Sequence, residues 1–148
     1  MTYFWDTNIV LYAIRKPDFF ERLNQKYDFG HPLNKVYISS VTVGEIHSIA
    51  FRNRWGDGRM RTLKALLDTL EILVVDKDDF LIKMYCEIDA YSQSQHPILK
   101  LPTSARKMGK NDLWIAATAA VHNATLISTD ADFDHLDGLF LYFDKIIA

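Results

Sequence analysis

The stretch "GKNDLWIAATAAVHNATLISTDADF", Gly109 to Phe133, decides the fold. Its first half carries apolar residues at helical spacing: Leu113, Ala116, Ala117 and Ala120 share one face, and Trp114 and Val121 widen the apolar surface, so a helix is predicted over 111–122. The run TLIS (125–128) that follows is continuous, short and rich in β-formers, the pattern of a strand buried on both faces. A carboxylate, Asp112, stands at the head of the helix, and another, Asp130, stands just past the strand. The small alanines allow close packing against a sheet, which would hold Asp112 rigidly.

Outward from there the same alternation repeats. Strands are predicted at 2–5, 36–38, 72–75, 125–128 and 139–143, with helices near 7–15, 17–28, 41–54, 58–70, 77–94 and 111–122. Strand–helix alternation with apolar strands predicts an α/β fold, a three-layer α/β/α sandwich around a central, mostly parallel five-stranded sheet. The segment 96–110 breaks periodicity with two prolines and a glycine and reads as a loop. Nothing in 1–148 calls for a second domain, and a chain of 148 residues buries roughly 70% of its unfolded surface.

Composition narrows the function classes. The formal charge is −2, which argues against a uniformly basic nucleic-acid coat, yet the charge is unevenly placed. Between Ser92 and Asn111 there is no acid while Lys100, Arg106, Lys107 and Lys110 accumulate, and Arg52, Arg54, Arg59, Arg61 and Lys64 are opposed only by Asp57. These two segments are candidate phosphate contacts or solvated faces. The single cysteine, Cys86, excludes an internal disulfide, fits a reducing cytoplasm and reads as a small core residue. The start MTYFWD has no basic region typical of a signal peptide, and no apolar run approaches the roughly 20 residues that span a bilayer. The expected location is the cytoplasm.

Four acids from four distant segments point to one edge of this sheet. Asp6 and Asp130 end strands, Glu45 opens the helix after the second strand, and Asp112 opens a helix that runs back from the same edge in a right-handed crossover. Ligands of open α/β sheets bind beyond the carboxyl ends of the strands. Each acid also has a plain structural role. Asp6 and Asp130 suit helix caps, Glu45 three residues after Thr42 matches a capping box, and Asp112 after the good cap Asn111 suits a positive helix terminus. Capping needs no common location, however, and two carboxylates about 5 Å apart repel by roughly 3 kcal/mol at an effective dielectric near 20. Protons or cations must neutralise such a cluster, and an oxygen-only ligand set favours Mg²⁺ or Mn²⁺ over Zn²⁺. Asp76 also ends a strand but, with Asp78 and Asp79, reads as a helix cap; His31, His47, His96, His122 and His135 show no metal-ligand spacing.

In this order, "FWDTNIVLYAI", "SSVTVGEI", "MGKNDLWIAATAA" and "TLISTDADF" resemble the PIN-domain ribonucleases, and most closely the small VapC-type toxins of toxin–antitoxin pairs. The resemblance spans the chain, and "NDLWIAATA" is its most specific piece. It implies an endoribonuclease dependent on Mg²⁺ or Mn²⁺, with Asp6 and Asp112 the most direct metal ligands and Glu45 and Asp130 completing the cluster. Asp132 competes with Asp130 for the fourth place. Thr7, Asn8, Ser128 and Thr129 would orient carboxylates and phosphate by hydrogen bonds, and Lys110 would contact phosphate. The implied products carry a 5′-phosphate and a 3′-hydroxyl. A small antitoxin protein and a homodimer are the implied partners, with no membrane.

Three rival readings follow from the same residues. A haloacid-dehalogenase-like phosphatase needs a second acid two residues after the first, where this chain has Asn8. A phospho-receiver domain needs an acidic pair after the first strand and gives Asp112 no role. A non-catalytic PIN-like domain that only binds RNA or a partner retains the fold and differs in the chemistry.

Overall fold

A computed structural model describes residues 1–148. Five strands form one sheet: β1 (Thr2–Trp5), β2 (Lys35–Ser39), β3 (Glu71–Leu73), β4 (Thr125–Ser128) and β5 (Tyr142–Lys145). Their order is β3-β2-β1-β4-β5 and every pairing is parallel, so the expected "mostly parallel" sheet is wholly so. Six helices connect them: α1 (Thr7–Arg15), α2 (Pro17–Tyr27), α3 (Ser40–Arg52), α4 (Asp57–Leu67), α5 (Asp79–Ser92) and α6 (Lys110–Val121), with a short 3-10 helix at Ala131–Leu136.

The alternation of strand side chains divides the core into two layers. Phe4 and Leu126 point to one face and pack with residues of α5, α6 and the 3-10 helix, including Ile88, Ile115 and Phe133. Tyr3, Trp5, Ile38 and Ile127 point to the other and pack with Ile9, Val10, Leu23, Ile46 and Leu63 of α1 to α4. Both faces are therefore covered, which is why the central strands carry unbroken apolar runs. The result is the three-layer α/β/α sandwich. No helix is long and apolar enough to cross a membrane.

Several local expectations need correction. The apolar run 139–143 divides: Leu139 and Phe140 belong to a turn with Gly138, whose φ of 75° suits glycine, Leu141 makes only an isolated bridge to Asp137, and pairing with β4 begins at Tyr142. Leu141 and Phe140 are held by packing against the core, and apolarity alone does not mark where a strand begins. β3 lies at 71–73 rather than 72–75 and, as an edge strand, is largely exposed. Cys86 is exposed, not buried, because α5 buries the stripe Leu81, Ile88 and Tyr91, and position 86 falls off it. Around α6 the burial is broader than one face: Ile115, Ala116, Ala117 and Ala119 are fully buried, whereas Ala120 is only partly so and Val121 is exposed.

Candidate active site

The strand order reverses at β1, whose neighbours β2 and β4 continue the chain in opposite directions across the sheet. This switch point opens a crevice beyond the carboxyl ends of the strands. Asp6 follows β1 directly and its backbone N–H donates to the Ile127 carbonyl, tying it to the end of β4. Asp130 follows β4 and caps the 3-10 helix, accepting from the Asp132 N–H at 2.8 Å. Asp112 enters from the first turn of α6 and Glu45 from the second turn of α3.

The plain capping roles are realised unevenly. Asp6 does cap α1, accepting from the Thr7 N–H at 2.6 Å. The capping box at Thr42 and Glu45 does not form: Ser39 caps α3 by accepting from Val41 N–H, and Glu45 accepts instead from the Thr7 hydroxyl at 3.0 Å. Gly109 rather than Asn111 is the cap residue of α6. Asp76 does not cap α5 either; Asp78 does, while the Asp76 carboxylate accepts from the Asp78 N–H away from the other acids.

The crevice has a hydroxyl framework as its second layer. Ser128, fully buried, donates to Asp6 Oδ2 at 2.6 Å and accepts from the Asp130 N–H and from the Asn8 amide. Asn8 also donates to the Thr129 hydroxyl at 2.8 Å. Thr7, Asn8, Ser128 and Thr129 are thus all brought to this edge, although Asn8 donates to the Ser128 and Thr129 hydroxyls and Thr129 accepts from Asn8, neither bonding a carboxylate. Thr42, read in the sequence only as a cap, is a further member: buried, it lies 3.1 Å from the Thr7 hydroxyl that holds Glu45. Its signal was present in the one-turn spacing to Glu45.

Charge at this edge is uncompensated. Asp112, Asp130 and Asp132 each bring a carboxylate oxygen within 4.8 Å of the others, so the two competing candidates for the fourth acid lie together. Burial foremost, then repulsion from Asp6, Asp130, Glu45 and Asp132, pushes the Asp112 carboxyl up to about 7. Burial also raises Asp6 to about 6, against the opposing hydrogen bonds from Ser128 and Thr7. The two share their repulsion, and whichever ionises second bears it. Lys110 is exposed in the first turn of α6 and joins none of the ion pairs. None of the five histidines belongs to the acid group.

A hub such as Ser128 is sensitive to truncation. Ser128→Ala removes the donor to the buried Asp6 and leaves the half-buried Asp130 N–H without its acceptor, while the Asn8 amide keeps only Thr129, so a loss of about 1–3 kcal/mol in unfolding free energy is expected. Denaturant unfolding measures it, and a change within about 0.5 kcal/mol, the range of ordinary surface substitutions, would contradict the hub.

A parallel α/β sandwich with an oxygen-only acidic crevice at its topological switch point is the class that fold and site define. The PIN domain family matches residues 3–139, and the chain belongs to that family, as its motifs led one to expect. Ribonuclease VapC1 of Haemophilus influenzae (strain R2866) is 28% identical over 130 residues, 86% of each chain. Ribonuclease VapC2 of Rickettsia felis is 29% identical over 146 residues, 95% of this chain and 96% of that one. The solved structure of VapBC2 from Rickettsia felis, bound to a DNA fragment from their promoter, shares the fold with a TM-score of 0.78 over 98% of both chains at 24% identity.

Proposed function

We propose that this chain is an endoribonuclease dependent on Mg²⁺ or Mn²⁺ that hydrolyses RNA phosphodiester bonds, and that it is the toxin of a toxin–antitoxin pair. The observation that carries the reading is the pair Asp6 and Asp112, both pushed toward neutrality in a crevice that offers carboxylates and hydroxyls and no nitrogen or sulfur ligand. Such a donor set fits a hard divalent cation. Relatives named as ribonucleases, at 28% and 29% identity, support the substrate class. The whole of 1–148 acts as one nuclease domain in this reading.

Asp6 and Asp112 would hold the cation, with Glu45 and Asp130 completing the cluster and Asp132 at its exposed rim. A divalent cation in such a site acidifies water and offsets charge on the phosphodiester as it develops. The protein's own groups do the positioning. Ser128 fixes one oxygen of Asp6 and the Thr7 N–H the other, while the Thr7 hydroxyl, backed by Thr42, aims Glu45. Lys110 stands two residues from Asp112 and would meet a substrate phosphate that the acids repel.

An antitoxin protein that associates with the chain is supported by the VapBC2 complex that shares its fold, and the proposal adds a second copy in a homodimer and cytoplasmic residence. Incubation of the purified chain with structured and single-stranded RNAs tests the activity. Cleavage leaving 5′-phosphate ends is expected with Mg²⁺ or Mn²⁺ and not with EDTA. No cleavage of any RNA under either cation would instead favour a domain that only binds.

A further inference from the structure

A cleft of about 500 Å³ lies beside the acids, between α3 and the start of α6. Glu45 lines it and also repels Asp112, so the cleft adjoins the acid cluster. Ser48 and Arg52 follow Glu45 along one side of α3, Asn111 of α6 closes the opposite wall, and Val41 and Ile49 add apolar surface.

Two features of this cleft have no explanation in the fold itself. Arg52 is exposed, faces the cleft and joins no ion pair. A cation near a helix carboxyl end is favourable anywhere around the helix, which leaves its direction unexplained. Gly44 sits inside α3, where glycine is destabilising relative to alanine. A Cβ built on it meets no atom within 4 Å, so packing does not demand its absence. What the missing side chain does leave open is the cleft.

Electrostatics selects the occupant. A phosphodiester approaching five clustered carboxylates is repelled, and an RNA strand that reaches them needs a cation close by along its path. Arg52 lies seven residues beyond Glu45, roughly 10 Å along the helix axis, within reach of the neighbouring phosphates of an extended strand. Its planar fork suits phosphate oxygens, and the amide and hydroxyl of Asn111 and Ser48 suit a ribose or a base edge.

We propose that this cleft is a nucleotide subsite for the RNA strand beside the scissile bond, with Arg52 holding a backbone phosphate and the space over Gly44 receiving the adjoining nucleoside. The assignment rests on the nuclease reading above. Arg52 and Gly44 act as positioning residues: neither touches the reacting atoms.

Binding can be separated from cleavage by using full-length Asp112→Asn protein as the host and measuring fluorescence anisotropy of a labelled single-stranded RNA without divalent cation. Arg52→Ala is expected to weaken binding about tenfold and to lower the slope of log K against log salt by about 0.7, one phosphate contact on a single strand. Arg52→Lys should keep the slope. Gly44→Leu should weaken binding with the melting temperature unchanged or raised, a combination that damage to the fold would not produce. Lys35→Ala, at the exposed amino end of β2 on the sheet edge opposite the acids, is the control expected to bind as the host does. Equal affinity of the host, Arg52→Ala and Gly44→Leu overturns the subsite, as does a host that binds no RNA. Loss of antitoxin binding in these variants with RNA affinity intact also overturns it, by assigning the cleft to a protein. Failure of the wild-type chain to cut any RNA is a different result and removes the nuclease reading itself.

Discussion

Asp112→Asn is expected to lower RNA cleavage by at least about a hundredfold while making the metal-free protein more stable above pH 7. The two effects have opposite signs because one carboxylate serves opposing demands. As the proposed ligand it would help hold a cation that offsets charge developing on the phosphodiester, and losing one such electrostatic group typically costs about 10²–10³-fold. As a half-buried acid among Asp6, Asp130, Glu45 and Asp132 it carries repulsion that an amide of the same shape removes. The packing of α6 is unaffected, since the buried body of the helix begins at Leu113. Cleavage rates with Mn²⁺ and thermal unfolding in EDTA, both at pH 8, measure the pair of effects. Equal cleavage by wild type and variant would exclude Asp112 from the chemistry, and a variant less stable without metal would contradict the repulsion.

The site and the fold differ in how much of each could be read from residues. Asp6 and Asp130 were legible because a parallel strand delivers whatever follows it to one edge, and the apolar runs marked those strands unambiguously. Asp112 was legible from the contrast between an acid and a helix apolar on nearly every side. Glu45 was ambiguous, since its spacing from Thr42 equally describes a capping box; which of two local hydrogen bonds forms depends on Thr7, 38 residues away. The same limit hid the Thr42–Thr7 contact and the partners of Asn8, whose amide reaches Ser128 and Thr129 across more than a hundred residues. Periodicity failed where packing and pairing separate, at Leu139 to Leu141, and apolar flanks misled at Cys86, because neighbours in sequence occupy different faces of a helix.

Without metal, the protein is expected to lose stability as pH rises from about 4 to about 7, and divalent cations should restore it most strongly at the high end. An acid whose folded pKa is raised binds its proton more tightly in the folded state. Its contribution is therefore fully present below the unfolded value of 3.8 and is lost as pH passes the folded value, about 6 for Asp6 and about 7 for Asp112. For the buried Asp6 the difference corresponds to about 3 kcal/mol, or about 5–10 °C in melting temperature for a chain of this size. Asp112 adds in the same direction, by less than its own shift implies, because it is half exposed and shares its repulsion with Asp6. His135 opposes them: burial first, with Arg106 nearby, lowers its pKa, so stability linked to it is lost as pH falls and returns toward neutrality. Comparing wild type with Asp112→Asn isolates what Asp112 adds, including its repulsion of Asp6, since His135 is common to both. Bound cation stabilises the folded state by mass action, and protons compete for the same oxygens, so the rise in melting temperature with Mg²⁺ or Mn²⁺ should be larger at pH 8 than at pH 5. Equal cation effects at the two pH values, or a wild-type protein that gains stability relative to Asp112→Asn as pH rises in EDTA, would mean that these carboxylates neither repel one another nor gather a cation.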